Sequence, residues 1–302
     1  MRKPSPALVL TFSLIGISFA GPLTRLSHSD PLIIAAWRLM LSLVIVAIAL
    51  VLTGEWRDWR TLSIRDAGFA IAAGVALALH FWAWNASLHL TTIAASVTLV
   101  NMQPAFIIAI SALFLREIAT RRQISGIAVA IAGAMIIAAP AILEGGASYQ
   151  RGAALGNMLA LSAALTGAIY YSIGRHLRHR YGLWSYVGLA YTACALALIA
   201  GARVTHLDLI PQPPREMAIF AALAIGPMLL GHTGMNWALK FLPAYVVNLV
   251  TLGEPVGATL LGALLPGIRQ TPSLITLVGG AIMLAGVTIA ARSTVSAETP
   301  TA

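Results

Sequence analysis

Two full charges stand well inside long apolar runs of the sequence: Arg38, in the run that opens near residue 32, and Glu254, in the stretch "LGEPVG" within the run from Tyr245 to Leu265. An ionisable side chain at mid-membrane costs on the order of 3 kcal/mol on insertion scales, so such groups usually face a bundle interior or a water-filled cavity. Glu254 suits a proton carrier or a counter-ion for a substrate ammonium. Equally, a hydrogen-bonded carboxyl beside Pro255 suits the carbonyls left free by a proline that has no N–H. Arg38 has the planar fork that meets a carboxylate with two parallel hydrogen bonds. Its alternative role is structural, bonding backbone carbonyls near a membrane surface. A depth of ~9 Å, at ~1.5 Å per residue, favours that second role.

Weaker polar groups recur at helical spacing. His80, Trp84 and Ser87 share one helix face, Phe81, Asn85 and Leu88 the adjacent one, and His232 and Asn236 are spaced i, i+4 in a later run. An isolated membrane histidine is more often packing held by a hydrogen bond, but two on related helices argue for a shared cavity. With Asn101, Gln103, Tyr170 and Glu254 these residues form the candidate substrate-binding set: His80, Trp84, Asn85, Asn101, Gln103, Tyr170, His232, Asn236 and Glu254. Trp37, Trp82, Trp84, Trp237, Tyr170 and Tyr171 are suited either to an amphipathic pocket or to an interfacial belt. The belt suits Trp56, Trp59 and Trp184; the cavity is preferred for Trp84 and Tyr170, with only one of Tyr170 and Tyr171 facing it. Pro104, Pro227 and Pro255 are kink sites and candidate gates. The histidines lack the further ligands a metal needs, and no cofactor is expected.

The elements that must position these groups follow from composition. Of 302 residues, 59% are hydrophobic and 10% charged, against roughly 25% charged in soluble domains, which places the chain in a bilayer. Nucleic acid is not an expected partner despite the net charge of +9, because the position of the cations matters more than their total. Cys194 is the sole cysteine, which excludes an internal disulfide or a CxxC pair, and no GxxxxGK[ST] phosphate loop is present. Apolar runs predict ten spans at about 7–26, 32–52, 66–88, 92–115, 122–140, 152–174, 184–202, 217–239, 243–265 and 273–291. With the N-terminus inside, thirteen Lys and Arg fall on the inner side and five on the outer, which sets both termini in the cytoplasm. The first run, closing on Ser18-Phe19-Ala20, also has the shape of a cleavable signal peptide, whose removal would leave nine helices.

The sequence repeats itself. "NASLHLTTIAASVTLVNMQP" from Asn85 to Pro104 matches "NWALKFLPAYVVNLVTLGEP" from Asn236 to Pro255 at a constant offset of 151, and Gly126 and Gly133 are seven apart, as are Gly279 and Gly286. Gly152 with Gly156, and Gly253 with Gly257, have the small-xxx-small spacing of close helix approach. Five spans per copy is an odd number, so the second copy enters the membrane in the opposite sense. The expected architecture is an all-α membrane protein of ten transmembrane helices, two inverted five-helix repeats around a central cavity: residues 7–140, residues 152–291, and a short cytoplasmic tail at 292–302. Gln103 is then the uncharged counterpart of Glu254.

This pattern resembles the drug/metabolite transporter superfamily, specifically its ten-helix EamA-type exporters, and within them bacterial amino-acid exporters of the YddG kind. The resemblance rests on Ala36-Trp37-Arg38, on Gln103-Pro104, on Leu115-Arg116-Glu117, on Glu254-Pro255 and on the glycine-spaced fifth and tenth spans. Where the family repeats a Leu-Gly-Glu-like close at the end of the ninth span, this chain has Leu265-Pro266-Gly267. The resemblance implies a secondary active transporter in the bacterial inner membrane that exports small metabolites, amino acids including aromatic ones, by alternating access. The partners are a small-molecule substrate and the lipid bilayer, and the chain is read as a monomer. Export of lipophilic or cationic drugs is the alternative, and a channel a further one. An enzyme is not expected, because ten acidic residues, nearly all near loops, do not easily build a catalytic set.

Overall fold

Local signals set the helix boundaries. Ser5 caps α1 (Pro6–Ser18), its hydroxyl accepting the Leu8 N–H at 3.3 Å, and α2 (Ala20–Leu26) follows after Phe19. Asp30 Oδ1 accepts the Leu32 N–H at 2.8 Å and Pro31 fills the first turn, so α3 (Pro31–Thr53) begins there. It stops at Gly54, whose φ of 72° is the left-handed conformation a residue without Cβ adopts freely. Ser63 starts α4 (Ile64–Leu90) by accepting the Asp66 N–H at 3.0 Å. The computed structural model describes residues 4–91, 93–115, 118–143, 147–264 and 274–295, and no strand occurs among them.

The remaining helices are α5 (Ile93–Val100), α6 (Gln103–Ile110), α7 (Arg121–Leu143), α8 (Ala147–Arg178), α9 (Leu183–Val204), α10 (Pro214–Leu223), α11 (Gly234–Ala238), α12 (Ala244–Asn248), α13 (Glu254–Leu264) and α14 (Leu274–Val295). Among the described residues, six continuous stretches are long and apolar enough to cross a membrane: Pro6–Leu26, Pro31–Thr53, Ile64–Leu90, Gly152–Arg178, Leu183–Val204 and Pro214–Ala238. Gln103–Phe114 and Leu277–Ala290 are shorter apolar helices.

Two of the expected runs differ from single kinked helices. The 92–115 run breaks at Asn101–Met102 between α5 and α6, and the 243–265 run passes through a 3-10 segment, Leu249–Gly253, between α12 and α13. Pro104 and Pro255 therefore stand in the first turn of a new helix, where a missing N–H leaves no bond unmade. Pro227 lies inside a π-helical segment, Ala224–Thr233, that joins α10 to α11. Leu115-Arg116-Glu117 is described only at Leu115; its other two residues, Leu265-Pro266-Gly267, the 144–146 connection and the tail from residue 296 lie outside the described residues.

Packing joins the two ends of the sequence. α7 crosses α14 where glycines face each other: a Cβ on Gly126 would lie 2.7 Å from the Gly286 carbonyl oxygen, and one on Gly133 2.6 Å from that of Gly279. Gly16 meets the 224–233 segment in the same way, 2.7 Å from the Gly226 oxygen. α1 packs on that segment as α8 packs on α4, α4 packs on α9 as α3 packs on the 224–233 segment, and α3 lies against α9. The main core, which includes Leu39, Leu77, Phe81, Tyr170, Tyr186 and Tyr191, fills the space between α3, α4, α8 and α9. The candidate site adjoins this core.

Candidate functional site

A cavity of about 40 Å³ opens where α1, α3, α4, α8, the 224–233 segment and the two broken runs meet. Arg38, His80, Trp84, Asn101, Gln103, His232 and Glu254 line it, together with Phe81, Tyr171 and Thr251. The breaks explain how polar groups reach it. Gln103 opens α6, and Glu254 follows directly on the 3-10 segment at the start of α13, so each presents its side chain from the point where its run changes course.

Arg38 is 1% exposed, its guanidinium 4.1 Å over the Phe81 ring and Nη2 4.0 Å from the Met228 sulfur. Its Nε has no hydrogen-bond partner. The backbone-tying role that depth favoured is thus absent from its described hydrogen bonds, because α3 turns the side chain inward onto the cavity wall. Glu254 is partly exposed into the cavity and forms no ion pair with Arg38 among the described residues.

The two histidines meet at this cavity. His80 Nδ1 donates to the Ala163 carbonyl at 2.8 Å, an oxygen that can only accept, which fixes the ring proton on Nδ1 and turns Nε2 away from that bond. His232 Nδ1 shares a 2.8 Å hydrogen bond with the Tyr171 hydroxyl, and its ring centroid lies 6.2 Å from that of His80 and 5.2 Å from that of Phe81. Gly167 lets His80 lie close against α8, since a Cβ there would lie 2.8 Å from His80 Nδ1. The Trp84 indole N–H and Asn101 Oδ1 are buried without a partner, which leaves a free donor and a free acceptor at the wall. Gln103 Nε2 donates to Asn248 Oδ1, tying the two broken runs together.

Three expected wall residues stand behind the wall instead. Tyr170 accepts a 2.5 Å hydrogen bond from Asn236 Nδ2, and Asn236 also donates to the His232 carbonyl at 2.7 Å. Asn85 Nδ2 donates to the Pro31 carbonyl at 3.2 Å, holding α4 to the start of α3. One residue of α8 is a rotation of ~100° at 3.6 residues per turn, so Tyr171 takes the cavity position and Tyr170 the interhelical one. Trp37 stacks on Phe220 and donates to the Leu209 carbonyl, Trp82 is 39% exposed, and Trp237 packs on Phe241. Thr251 had no signal beyond its place in the repeat, and Phe81 stood on the neighbouring face to His80. Among the described residues no three His, Cys, Asp or Glu side chains converge to hold a metal ion.

The family model for the "EamA-like transporter family" matches the chain twice, over residues 6–139 and 154–292. The chain belongs to this family. It is a multi-pass membrane transporter, and EamA proteins are part of the drug/metabolite transporter superfamily. An "Uncharacterized transporter" of Archaeoglobus fulgidus is 24% identical over 292 residues, 94% of this chain and 97% of that protein. A "Probable terminal-alkyne amino-acid exporter" of Streptantibioticus cattleyicolor is 31% identical over 205 residues, 65% of this chain and 63% of that one. A solved structure described as "Crystal structure of protein" shares the fold with a TM-score of 0.76 at 17% identity, over 99% of this chain and 100% of that one. Within an EamA transporter, the cavity between the broken runs is the candidate substrate site.

Proposed function

We propose that this EamA chain is a secondary active transporter that exports small metabolites, amino acids including aromatic ones, from the cytoplasm by alternating access. The observation that carries the reading is a guanidinium and a carboxyl set in one cavity: Arg38 and Glu254 line it without bonding each other. A zwitterion placed between them would set its carboxylate on Arg38 and its ammonium on Glu254, with its side chain against Phe81, Trp84 and Tyr171. No covalent step is needed, and the site is assigned no enzyme activity. The relative named as an amino-acid exporter supports the same substrate class.

The proposed architecture is ten transmembrane helices in two inverted five-helix repeats, residues 7–140 and 152–291. The double match of the family model supports this reading, and so does the packing, whose helix pairs map onto themselves when the halves are exchanged. The proposed setting is the bacterial inner membrane, with both termini in the cytoplasm and a monomer as the working unit. A cavity of about 40 Å³ has room for about three waters at ~10–15 Å³ each, so it must widen to take a substrate. So small a cavity supports the reading of an occluded stage in an alternating cycle.

The test is flux in liposomes reconstituted with the purified chain, using amino acids, nucleobases and cationic dyes, with and without a pH gradient. Saturable flux of amino acids supports the reading. Flux of dyes alone would replace it with the drug-export alternative.

A further inference from the structure

Asp66 and Glu216 hold the same place in the two halves. Each is the third residue of its helix, α4 or α10, and Glu216 follows Asp66 by 150 residues, within one of the repeat offset. Their partners correspond as well. Asp66 Oδ2 accepts from the Tyr181 hydroxyl at 2.8 Å and from Arg180 at 3.2 Å, both in the turn between α8 and α9. Glu216 accepts from the Ser27 and Ser29 hydroxyls at 2.5 and 3.2 Å, and from the His28 N–H at 3.4 Å, in the turn between α2 and α3. Ser29 and Arg180 are 151 residues apart.

The two clusters lie at opposite ends of α3. Ser27 to Ser29 precede its start; the segment after its end, Glu55–Arg60, joins the Asp66 side, where Asp58 accepts the Gly182 N–H at 2.7 Å and Glu55 the Trp184 N–H at 2.6 Å. The 23 residues of α3 separate them by about 34 Å at 1.5 Å per residue. Both carboxylates are nearly buried, at 3% and 5% exposure, and both sets of bonds are made in the structure whose cavity measures about 40 Å³.

We propose that Asp66 and Glu216 are paired latches, one at each membrane face, each clasping the turn between the first and second spans of the opposite half, and that one releases while the other stays shut. The inference rests on the alternating-access reading above. It explains why carboxylates were placed there: one acceptor gathers two or three donors from a single turn, so a whole turn is held or freed at one residue.

The experiment uses a reporter, Thr251→Cys at the cavity wall, in a Cys194→Ala background, with a membrane-impermeant maleimide applied to sealed vesicles of each orientation. Asp66→Ala should raise labelling several-fold from its own face and lower it from the other, and Glu216→Ala should do the reverse. Should either alanine variant fail to fold, Tyr181→Phe and Ser29→Ala loosen the same latches by one hydroxyl each. Loss of trans-stimulated exchange in the wild type would overturn both the alternating-access reading and the latches. Wild-type exchange with labelling unchanged, or raised equally from both faces, would overturn the latches alone.

Discussion

Arg38 and Glu254 face one cavity from opposite halves of the sequence, and no ion pair joins them among the described residues. A buried guanidinium without a carboxylate partner is costly in a membrane core, and a zwitterionic ligand would give partners to Arg38 and Glu254 at once.

Arg38→Ala should therefore weaken amino-acid transport. A charge-assisted hydrogen bond contributes about 1.5–3 kcal/mol, which corresponds to roughly 10- to 100-fold in KM. Arg38→Lys should recover part of this, since it keeps the charge and loses the planar fork. Counterflow of labelled phenylalanine measures both, and an unchanged KM in Arg38→Ala would favour cationic substrates.

Glu254→Gln should abolish flux driven by a pH gradient while substrate exchange persists at a raised KM, because the amide oxygen still accepts from the ammonium but carries no charge. Arg38, His80, His232 and Tyr171 share the cavity with the carboxyl, so the comparison needs a control that keeps them all, and Glu254→Gln is such a change. Proteoliposomes with an imposed pH step supply the measurement. Unaltered pH-driven flux in the variant assigns the proton elsewhere.

Neighbouring tyrosines should behave differently. Tyr171→Phe removes the hydroxyl that pairs with His232 at the cavity and should raise KM several-fold. Tyr170→Phe deprives the Asn236 amide of a partner behind the wall, at about 1–3 kcal/mol of stability, and should leave KM alone. Thermal unfolding in detergent and flux together separate the two effects.

Gly133→Ala should destabilise the contact between α7 and α14, because the new Cβ would lie 2.6 Å from the Gly279 oxygen. Overpacking of this kind costs about 1–3 kcal/mol. Gly68→Ala is the control, exposed in α4 with nothing within 4 Å of its Cβ, and should hold or slightly raise the melting temperature, since Ala is the better helix former.

The places where the sequence was legible are those where composition forces the outcome. Apolar runs between charges mark the helical stretches, and the constant offset between Gln103-Pro104 and Glu254-Pro255 marks the two matching breaks. Arg38 and Glu254 stand out because a charge in hydrocarbon has few places to go. The rotation of α8 was not legible: Tyr170 and Tyr171 are equally aromatic, and only the partners supplied by Asn236 and His232 decide which one faces inward. Asp66 and Glu216 escaped notice because an acid in the first turn of a helix is ordinary on dipole grounds alone. Their significance lies in which distant turn they hold, information that spacing along one helix does not contain.

A cavity that carries an amino acid by alternating access must exchange substrate across the membrane. The most direct measurement is counterflow: liposomes containing the wild-type chain are loaded with unlabelled phenylalanine and then given a trace of labelled phenylalanine outside. The account predicts saturable uptake of label that overshoots equilibrium and falls when the internal load is omitted. Linear uptake that ignores the internal load would contradict it.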